Sequence, residues 1–308
     1  MLRRGEVIRF FNGLTPCLVG MEACASAHYW ARELQAMGFK VKLIPPQFVK
    51  PYVRGNKNDD NDALAIAEAV VRPKMRFVTP KTTAQQDVQA LHRLRERRIG
   101  ERTALCNQLR GLLAEYGCIL PKGVSVLRRR IPDLLEDGEN GLSGLFRQLL
   151  AQGYQQLQQL DEHIECYTQA LQVQCREDEA CGRLQTIPGY GPIVASAFRS
   201  AIGNGSAFRR GRDVSASLGI VPGQHSSGGK ETLLGISKRG NCYVRSLLIH
   251  GARSVVRQAV NKDDRLSRWI NRIRAERGYN KAAEALANKL ARIGWACLHS
   301  DTSYQAAR

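Results

Sequence analysis

Residues 17–44 read CLVGMEACASAHYWARELQAMGFKVKLI, and the change of pattern within this stretch decides the fold of the N-terminal part of the chain. Residues 17–23 form an apolar run that is typical of a buried strand. Residues 27–37 have a helical period, which Gly38 ends, and residues 40–44 alternate between polar and apolar with period two. A strand, a helix and a strand in short succession predict a parallel α/β layer.

Three carboxylates next to this layer are candidates for chemistry. Glu22 lies in the first strand, where burial of an unpaired carboxylate is costly. Asp59 and Asp62 are three residues apart at the start of a helical stretch, so their side chains share one face. Hard divalent cations prefer oxygen ligands and assist phosphoryl transfer, which makes these residues candidate metal ligands. In the alternative interpretation, Asp59 and Asp60 cap the helix and Glu22 lies at an exposed strand end.

From residue 83 onward the pattern is that of long helices. A first helix runs to about Tyr116, and a second covers residues 142–179, with residues 121–137 as the predicted turn between them. Together they predict an antiparallel helical hairpin or coiled coil. The predicted inward residues are Val88, Leu91, Leu94, Leu105, Leu109, Leu112, Leu113, Tyr116, Leu145, Leu149, Leu157, Leu160, Ile164 and Leu171. The first helix also carries candidate nucleic-acid contacts at Arg93, Arg97, Arg102 and Arg110.

The charge of the chain predicts a polyanionic partner. The 308 residues carry 46 Lys or Arg against 28 Asp or Glu, a net charge of +18. Residues 230–292 hold fifteen basic residues and five acidic residues, so the positive charge is concentrated as on a nucleic-acid-binding face.

Composition excludes several other classes of protein. With 43% hydrophobic residues the chain is not a disordered protein. No apolar run approaches the roughly 20 residues that span a bilayer, and the first residues lack the apolar segment of a signal peptide. Nine cysteines without a C-x-x-C pair predict reduced thiols rather than a zinc site. We therefore expect a cytoplasmic protein with no membrane partner.

The first of two glycine-rich motifs covers residues 187–195, IPGYGPIVA. Its pattern matches a helix-hairpin-helix turn, in which the amides of Gly189 and Gly191 and a helix N-terminus approach a phosphate. The alternative is an ordinary glycine turn between two helices.

The second motif, residues 223–239, reads GQHSSGGKETLLGISKR and contains two serines before paired glycines. A serine hydroxyl can attack phosphorus when cations stabilise the developing charge, and Lys230, Lys238 and Arg239 are close in sequence. The alternative is a flexible surface loop.

Five segments, taken in order, resemble one family: GMEACASAHYW, KNDDNDALAIAEA, the arginine-rich helix, TIPGYGPIVASAF and SSGGKETLLGISKRGNCYVRSLL. They are similar to DEDD transposases of the insertion-sequence-110 kind, subgroup 1111, from residue 1 to about 300. The resemblance implies an α/β RuvC-like (RNase H-like) domain at residues 1–80. It further implies a coiled-coil arm at residues 81–180 and a mostly helical transposase domain at residues 181–308.

The resemblance also assigns roles to single residues. Glu22, Asp59 and Asp62 match the family carboxylates that bind a divalent cation, Mg²⁺. Ser227 matches the nucleophile, with Ser226 as the adjacent alternative. The first family aspartate has no counterpart, since Glu6 is the only acid before Glu22, and the chain resembles an N-terminally shortened member whose first strands are missing. The candidate nucleic-acid contacts in this C-terminal region are Gly189, Gly191, Lys230, Lys238, Arg239 and Arg245.

The function implied by the resemblance is transposition of an insertion sequence by DNA strand exchange. The resemblance also implies that a structured RNA encoded by the element guides the exchange between donor and target DNA, and that several copies of the chain assemble on the DNA. The alternative is a catalytically impaired remnant that only binds nucleic acid, which the missing aspartate favours.

Overall fold

The computed structural model describes residues 2–56 and 58–306. Lys57, which begins the segment KNDDNDALAIAEA, lies outside the described residues. The structure is mostly helical. Its helices are α1 (Val7–Asn12), α2 (Ala27–Ala36), α3 (Pro46–Val49), α4 (Asp59–Val70), α5 (Thr83–Glu115), α6 (Val124–Glu136), α7 (Gly144–Glu177), α8 (Glu179–Gln185), α9 (Pro192–Ile202), α10 (Gly211–Ser217), α11 (Cys242–Gln258), α12 (Arg265–Arg277) and α13 (Tyr279–His299). Its strands are β1 (Leu18–Glu22), β2 (Lys40–Ile44), β3 (Pro222–Gln224) and β4 (Leu233–Ile236).

The chain forms two compact units, each built from separate stretches of sequence. The first unit consists of Met1–Gln86, Phe198–Arg245 and Glu284–Thr302. The second consists of Asp87–Ala197, Ser246–Ala283 and Ser303–Arg308. Within the ranges that the structure describes, no helix has both the length and the apolar character needed to cross a bilayer.

The predicted α/β layer is present in the first unit. β1 and β2 are parallel, with Leu18 opposite Lys40 and Glu22 opposite Ile44, and α2 connects them. One face of the two strands packs on α2, where Ala31 and Leu34 are fully buried. The prediction of a strand, a helix and a parallel strand over residues 17–44 is therefore confirmed.

The other face of the layer packs on α4. A side-chain carbon at Gly20 would lie 3.0 Å from Val70 and 3.2 Å from Ile66, so the absent side chain lets α4 approach β1 closely. Because side chains alternate along a strand, Glu22 lies on the same face as Gly20. The other edge of β1 pairs with no further strand among the described residues.

The two long helices of the second unit, α5 and α7, run antiparallel as predicted. Three contacts join them in opposite chain order, and they pair Arg95 with Thr168, Arg102 with Asp161, and Leu109 with Gly153. The partners advance by seven residues along α5 and retreat by seven or eight along α7. Steps of this size keep one face of each helix toward the other.

The predicted turn at residues 121–137 is wrong, because this segment contains a helix. α6 buries Leu127, Ile131 and Leu134 against α5 and α7. These residues are spaced four and three apart, which places them on one face of a helix despite Pro132 inside it.

Part of the predicted inward face of the hairpin is also wrong. The buried line of α5 contains His92, Cys106, Leu109 and Leu113, spaced so that each faces the neighbouring helices. Five of the predicted inward residues are exposed instead, and the most exposed is Leu145 at the start of α7, at 68%. The other predicted inward residues that are exposed are Leu94, Leu112, Tyr116 and Leu149.

Candidate functional site

The candidate carboxylates lie where the α/β layer meets α4. Glu22 ends β1 and is half-buried, whereas Asp59 is exposed and Asp62 half-buried in the first turn of α4. Asn58 caps α4, because its side-chain oxygen accepts a hydrogen bond from the Asn61 N–H at 2.7 Å. Neither Asp59 nor Asp60 is the cap, so that part of the structural alternative is wrong. Both aspartates instead lie beside the positive end of the helix dipole.

These carboxylates do not form a group of metal ligands. Among residues 2–56 and 58–306, no three His, Cys, Asp or Glu side chains lie close enough together to hold a metal ion. Ile66 of α4 contacts β1. Along the helix axis, Asp62 lies about 6 Å before Ile66 and Asp59 lies about 10 Å before it. As placed, the residues do not fit a shared Mg²⁺ ion, and their role as ligands stays a prediction.

The serine motif forms a β-hairpin rather than an irregular loop. β3 and β4 are antiparallel, with Pro222 opposite Ile236 and Gln224 opposite Leu233. At the tip, Ser227 lies opposite Lys230, whose N–H donates to the Ser227 carbonyl at 3.0 Å. Positive φ angles of 56° at Gly228 and 79° at Gly229 define a type I′ turn, which favours glycine at both positions. Where the alternative predicts a surface loop, the structure contains a regular β-hairpin.

The two candidate serines differ in their hydroxyl environments. The Ser226 hydroxyl accepts a hydrogen bond from the Gln224 side-chain amide at 2.9 Å. The Ser227 hydroxyl is exposed, and no group in the described part of the chain hydrogen-bonds it. Ser227 is thus the serine whose oxygen is open to a substrate.

The cations predicted beside Ser227 divide between the two ends of the hairpin. Lys230 lies at the tip, directly opposite Ser227. Lys238 lies at the base, where its N–H donates to the Gly219 carbonyl at 3.1 Å. The six residue-to-residue steps from Val221 to Ser227 correspond to roughly 20 Å of strand, so Lys238 and Arg239 are not neighbours of Ser227 within the hairpin. The expectation that they lie next to the serine is wrong.

Arg245 also departs from the sequence-based prediction of a nucleic-acid contact. It lies in the first turns of α11 and is only 9% exposed. Its guanidinium donates to the carbonyls of Leu218 and Arg239 and to the sulfur of Cys242. These bonds direct the side chain toward the base of the hairpin, so it is not presented to a phosphate.

The arginines of the arm serve two purposes. Arg93 and Arg97 are exposed on α5, where Arg97 pairs with Glu101 at 2.8 Å. Arg102 pairs with Asp161 of α7 at 2.8 Å, and Arg110 donates to the Gly123 carbonyl before α6. Arg102 and Arg110 thus hold the arm together, which leaves Arg93 and Arg97 as the exposed candidates for nucleic acid.

The other glycine motif connects α8 to α9. Gly189 has a φ of 88°, and a side-chain carbon there would lie 3.0 Å from the Gly251 carbonyl of α11. Gly191 is exposed, has open space around it, and accepts the Ala195 N–H at 2.9 Å as α9 begins. Two helices do flank this turn, while its contact with a phosphate stays a prediction.

Sequence analysis did not identify a buried polar pair in the second unit. The Ser196 hydroxyl donates to the Pro192 carbonyl at 2.7 Å, and Nε2 of His92 lies 3.0 Å from the same hydroxyl oxygen. Burial, and to a lesser degree Arg95, lowers the pKa of His92 to about 4. The pair links the start of α5 to α9. A histidine on the otherwise apolar face of α5 was the available signal.

Comparison with known proteins identifies the family of the chain. Residues 7–118 match a family model described as a transposase of the IS110 DEDD group, and residues 181–267 match one described as the transposase IS116/IS110/IS902 family. The chain is 48% identical over 305 residues to a Pseudomonas aeruginosa protein named "Probable family 20 transposase", covering 99% of this chain and 90% of that protein.

Two further relatives are transposases of named insertion sequences. The IS1111A transposase of Coxiella burnetii is 45% identical over 304 residues, which cover 99% of this chain and 84% of that protein. The IS1328 transposase of Yersinia enterocolitica is 43% identical over 294 residues, covering 95% and 86%. With such identity along nearly its whole length, the chain belongs to the IS110 family of transposases.

Proposed function

We propose that the chain catalyses DNA strand exchange in the transposition of its insertion sequence, with Ser227 as the nucleophile. In this reaction the Ser227 oxygen attacks a DNA phosphorus and forms a phosphoserine ester with one strand end. The neighbouring nucleotide leaves with its hydroxyl, and a hydroxyl of the other DNA later displaces the serine.

The observation that carries the proposal is the open Ser227 hydroxyl at the tip of a type I′ hairpin. A tight turn with two glycines places the exposed serine at the tip of the hairpin, where a DNA backbone can approach it. Lys230, directly across the turn, supplies a positive charge for the phosphate oxygens. The hydroxyl of the neighbouring Ser226 already accepts a hydrogen bond from the Gln224 side-chain amide.

Nucleic-acid binding follows from the charge. The exposed Arg93 and Arg97, the hairpin cations Lys230, Lys238 and Arg239, and the exposed turn at Gly191 are the proposed phosphate contacts. Both DNA and a structured guide RNA present such phosphates, and we include guidance by an element-encoded RNA and assembly of several copies on DNA in the proposal. Phosphate contacts of this kind position a nucleic acid without reading its sequence.

The proposal contains no step through a metal ion. Members of the DEDD group are expected to use a divalent cation, yet Glu22, Asp59 and Asp62 do not form a group of three ligands here. This observation favours the second candidate function, in which the chain binds nucleic acid without exchanging strands.

The experiment compares Ser227→Ala with Ser226→Ala in a recombination assay on a plasmid that carries the insertion sequence. Ser227→Ala is expected to abolish recombination and the covalent protein–DNA adduct, while binding to a DNA duplex stays unchanged. Ser226→Ala is expected to retain most activity. If recombination is lost with Ser226→Ala but not with Ser227→Ala, Ser227 is not the nucleophile. A parent chain that binds DNA but does not recombine it would support the second candidate function.

A further inference from the structure

The base of the serine hairpin is a crossing of two backbone segments in direct contact. A side-chain carbon at Gly219 would lie 2.1 Å from the Arg239 carbonyl oxygen, and one at Gly240 would lie 1.8 Å from the Ser217 carbonyl oxygen. Both glycines have positive φ, 68° and 86°. Only glycine allows the segments to approach this closely in these conformations.

Hydrogen bonds hold the same crossing. The Ser237 N–H donates to the Val221 carbonyl at 2.8 Å, and the Lys238 N–H donates to the Gly219 carbonyl at 3.1 Å. Lys238 itself has a φ of 55°, a left-handed conformation that is unfavourable for a residue with a side chain. Such a conformation persists where its surroundings over-determine it.

Arg245 is the side chain that joins the two sides of this crossing. One nitrogen, Nη1, donates to the Leu218 carbonyl at 2.9 Å and to the Arg239 carbonyl at 3.3 Å, so that it bonds to the chain before and after the hairpin. The Leu218 carbonyl is one of those that the end of α10 leaves without a helical partner. Nη2 donates to the Cys242 sulfur at 3.0 Å.

The Arg245 guanidinium is buried and bonded to backbone carbonyls. Burial of a guanidinium is costly unless its N–H groups are bonded, and no carboxylate in the described part of the chain pairs with Arg245. Its fixed fork of donors can bond several carbonyls at once, whereas a lysine offers a compact charge on a flexible stem. Arg245 also lies in the first turns of α11, so it bonds the hairpin base to the start of that helix.

We propose that Arg245 is a positioning residue that fixes the direction in which the hairpin presents Ser227. The proposal rests on the proposed function of Ser227 as the nucleophile. Because the hairpin extends roughly 20 Å from its base, a rotation of only about 3° at the base displaces the Ser227 oxygen by about 1 Å. Misplacement of a reacting atom by 1 Å can lower a rate about 100-fold.

The test uses the full chain with Arg245→Met, which removes the donors, and Arg245→Lys, which keeps the charge. The control is Arg212→Met, an exposed arginine on α10 of the same unit. Recombination of the plasmid is measured against DNA concentration. Arg245→Met is expected to lower the rate at saturating DNA about 100-fold, with the half-saturating concentration within twofold of the parent. The rate of Arg245→Lys is expected to lie between those of the parent and Arg245→Met, and the rate of Arg212→Met is expected to match the parent.

Hydrogen exchange gives a readout independent of activity. In Arg245→Met the amide hydrogens of Ser237 and Lys238 are expected to exchange faster, while those in the middle of α11 keep their protection. A rate and a half-saturating concentration that change in parallel would overturn the proposal in favour of a general structural role. Unchanged rate and unchanged amide exchange would also overturn it.

Ser227→Ala separates this proposal from the proposed function. If Ser227→Ala recombines DNA like the parent, the proposed nucleophile is wrong, and with it the proposed consequence of Arg245. If Ser227→Ala is inactive while Arg245→Met has the rate and amide exchange of the parent, only the positioning role is wrong.

Discussion

The acidic end of the α/β layer and the serine hairpin are the two regions to which sequence analysis assigned chemistry, and they differ in how their residues are held. At the acidic end, Asp59 is exposed in the first turn of α4, and Glu22 ends a strand whose other edge pairs with no strand among the described residues. At the hairpin base, two glycines bring backbone segments into contact and Arg245 is buried between them.

The two regions therefore differ in what fixes the position of a reactive group. Backbone contacts and buried hydrogen bonds fix the hairpin base before any nucleic acid is present. The carboxylates depend instead on side chains at the ends of two elements, where like charges repel one another. We therefore expect substitution of the glycines in the hairpin base to have large effects on both stability and activity.

The largest effect is expected for Gly240→Ala. The new carbon would lie 1.8 Å from the Ser217 carbonyl oxygen, and the φ of 86° is unfavourable for alanine. Because the obstacle is backbone and cannot rotate away, we expect a loss of about 3 kcal/mol in the free energy of unfolding. Denaturant unfolding measures it, and recombination should be lost as the hairpin base opens.

Gly235→Ala in β4 is the matched control, because that glycine has open space around it and no positive φ. It should change the free energy of unfolding by less than about 1 kcal/mol, in the stabilising direction if the unfolded chain loses freedom. Equal losses from both substitutions would show that the hairpin base is no better fixed than its exposed strands.

The buried pair of His92 and Ser196 provides a pH-dependent measure of how much a buried polar contact contributes. The pKa of His92 is lowered from 6.5 to about 4, so the unfolded chain binds a proton more readily than the folded chain between these pH values. Stability from this residue is therefore complete above pH 6.5 and falls as the pH decreases toward 4. The loss is about 3 kcal/mol.

His92→Gln keeps a hydrogen-bonding side chain but cannot be protonated in this range. The difference in the free energy of unfolding between the parent and His92→Gln should shrink by about 3 kcal/mol from pH 6.5 to pH 4. The exposed His163 of α7 gives the control His163→Gln. Parallel curves for the parent and His92→Gln would contradict the prediction.

Local patterns in the sequence predicted a large part of the fold. The alternation of strand and helix over residues 17–44 and the long helical periods have signals within a few residues, and both are present. α6 was missed although Leu127, Ile131 and Leu134 carry a helical spacing, because arginines and Pro132 interrupt the segment. Leu145 was assigned inward because apolar character alone does not say which face meets α6 and α5.

The site was less predictable because it depends on contacts between distant segments. The sequence indicated Ser226 and Ser227 together, and only the bond from Gln224 distinguishes them. Arg245 resembles any other arginine of a basic region, since its burial arises from carbonyls six and twenty-seven residues away. The hairpin register, which separates Lys238 from Ser227, likewise follows from pairing that no local motif determines.

A smaller effect is expected at the tip of the hairpin, because Lys230 there is exposed and is not packed like the residues of the base. If Lys230 contacts a phosphate, Lys230→Gln should reduce the slope of log affinity against log salt on duplex DNA by about 0.9. Lys122→Gln, an exposed lysine before α6, is the control and should leave the slope unchanged. Fluorescence anisotropy at several salt concentrations measures both, and identical slopes for the two variants would remove Lys230 from the binding surface.

The smallest effect is expected for Mg²⁺ at the acidic end, and it tests the comparison most directly. Glu22, Asp59 and Asp62 are not gathered into a group of three ligands, so an ion would have to draw the side chains together before it bound them. That cost makes binding weak, and 10 mM Mg²⁺ should stabilise the chain by no more than about 0.4 kcal/mol, the value for a ligand at its dissociation constant. Thermal unfolding with and without Mg²⁺ measures the effect, and the variant Glu22→Gln, Asp59→Asn, Asp62→Asn serves as the control. A stabilisation of several kcal/mol that this variant abolishes would show that the acidic end assembles around the ion, and that it is as capable of a defined geometry as the hairpin base.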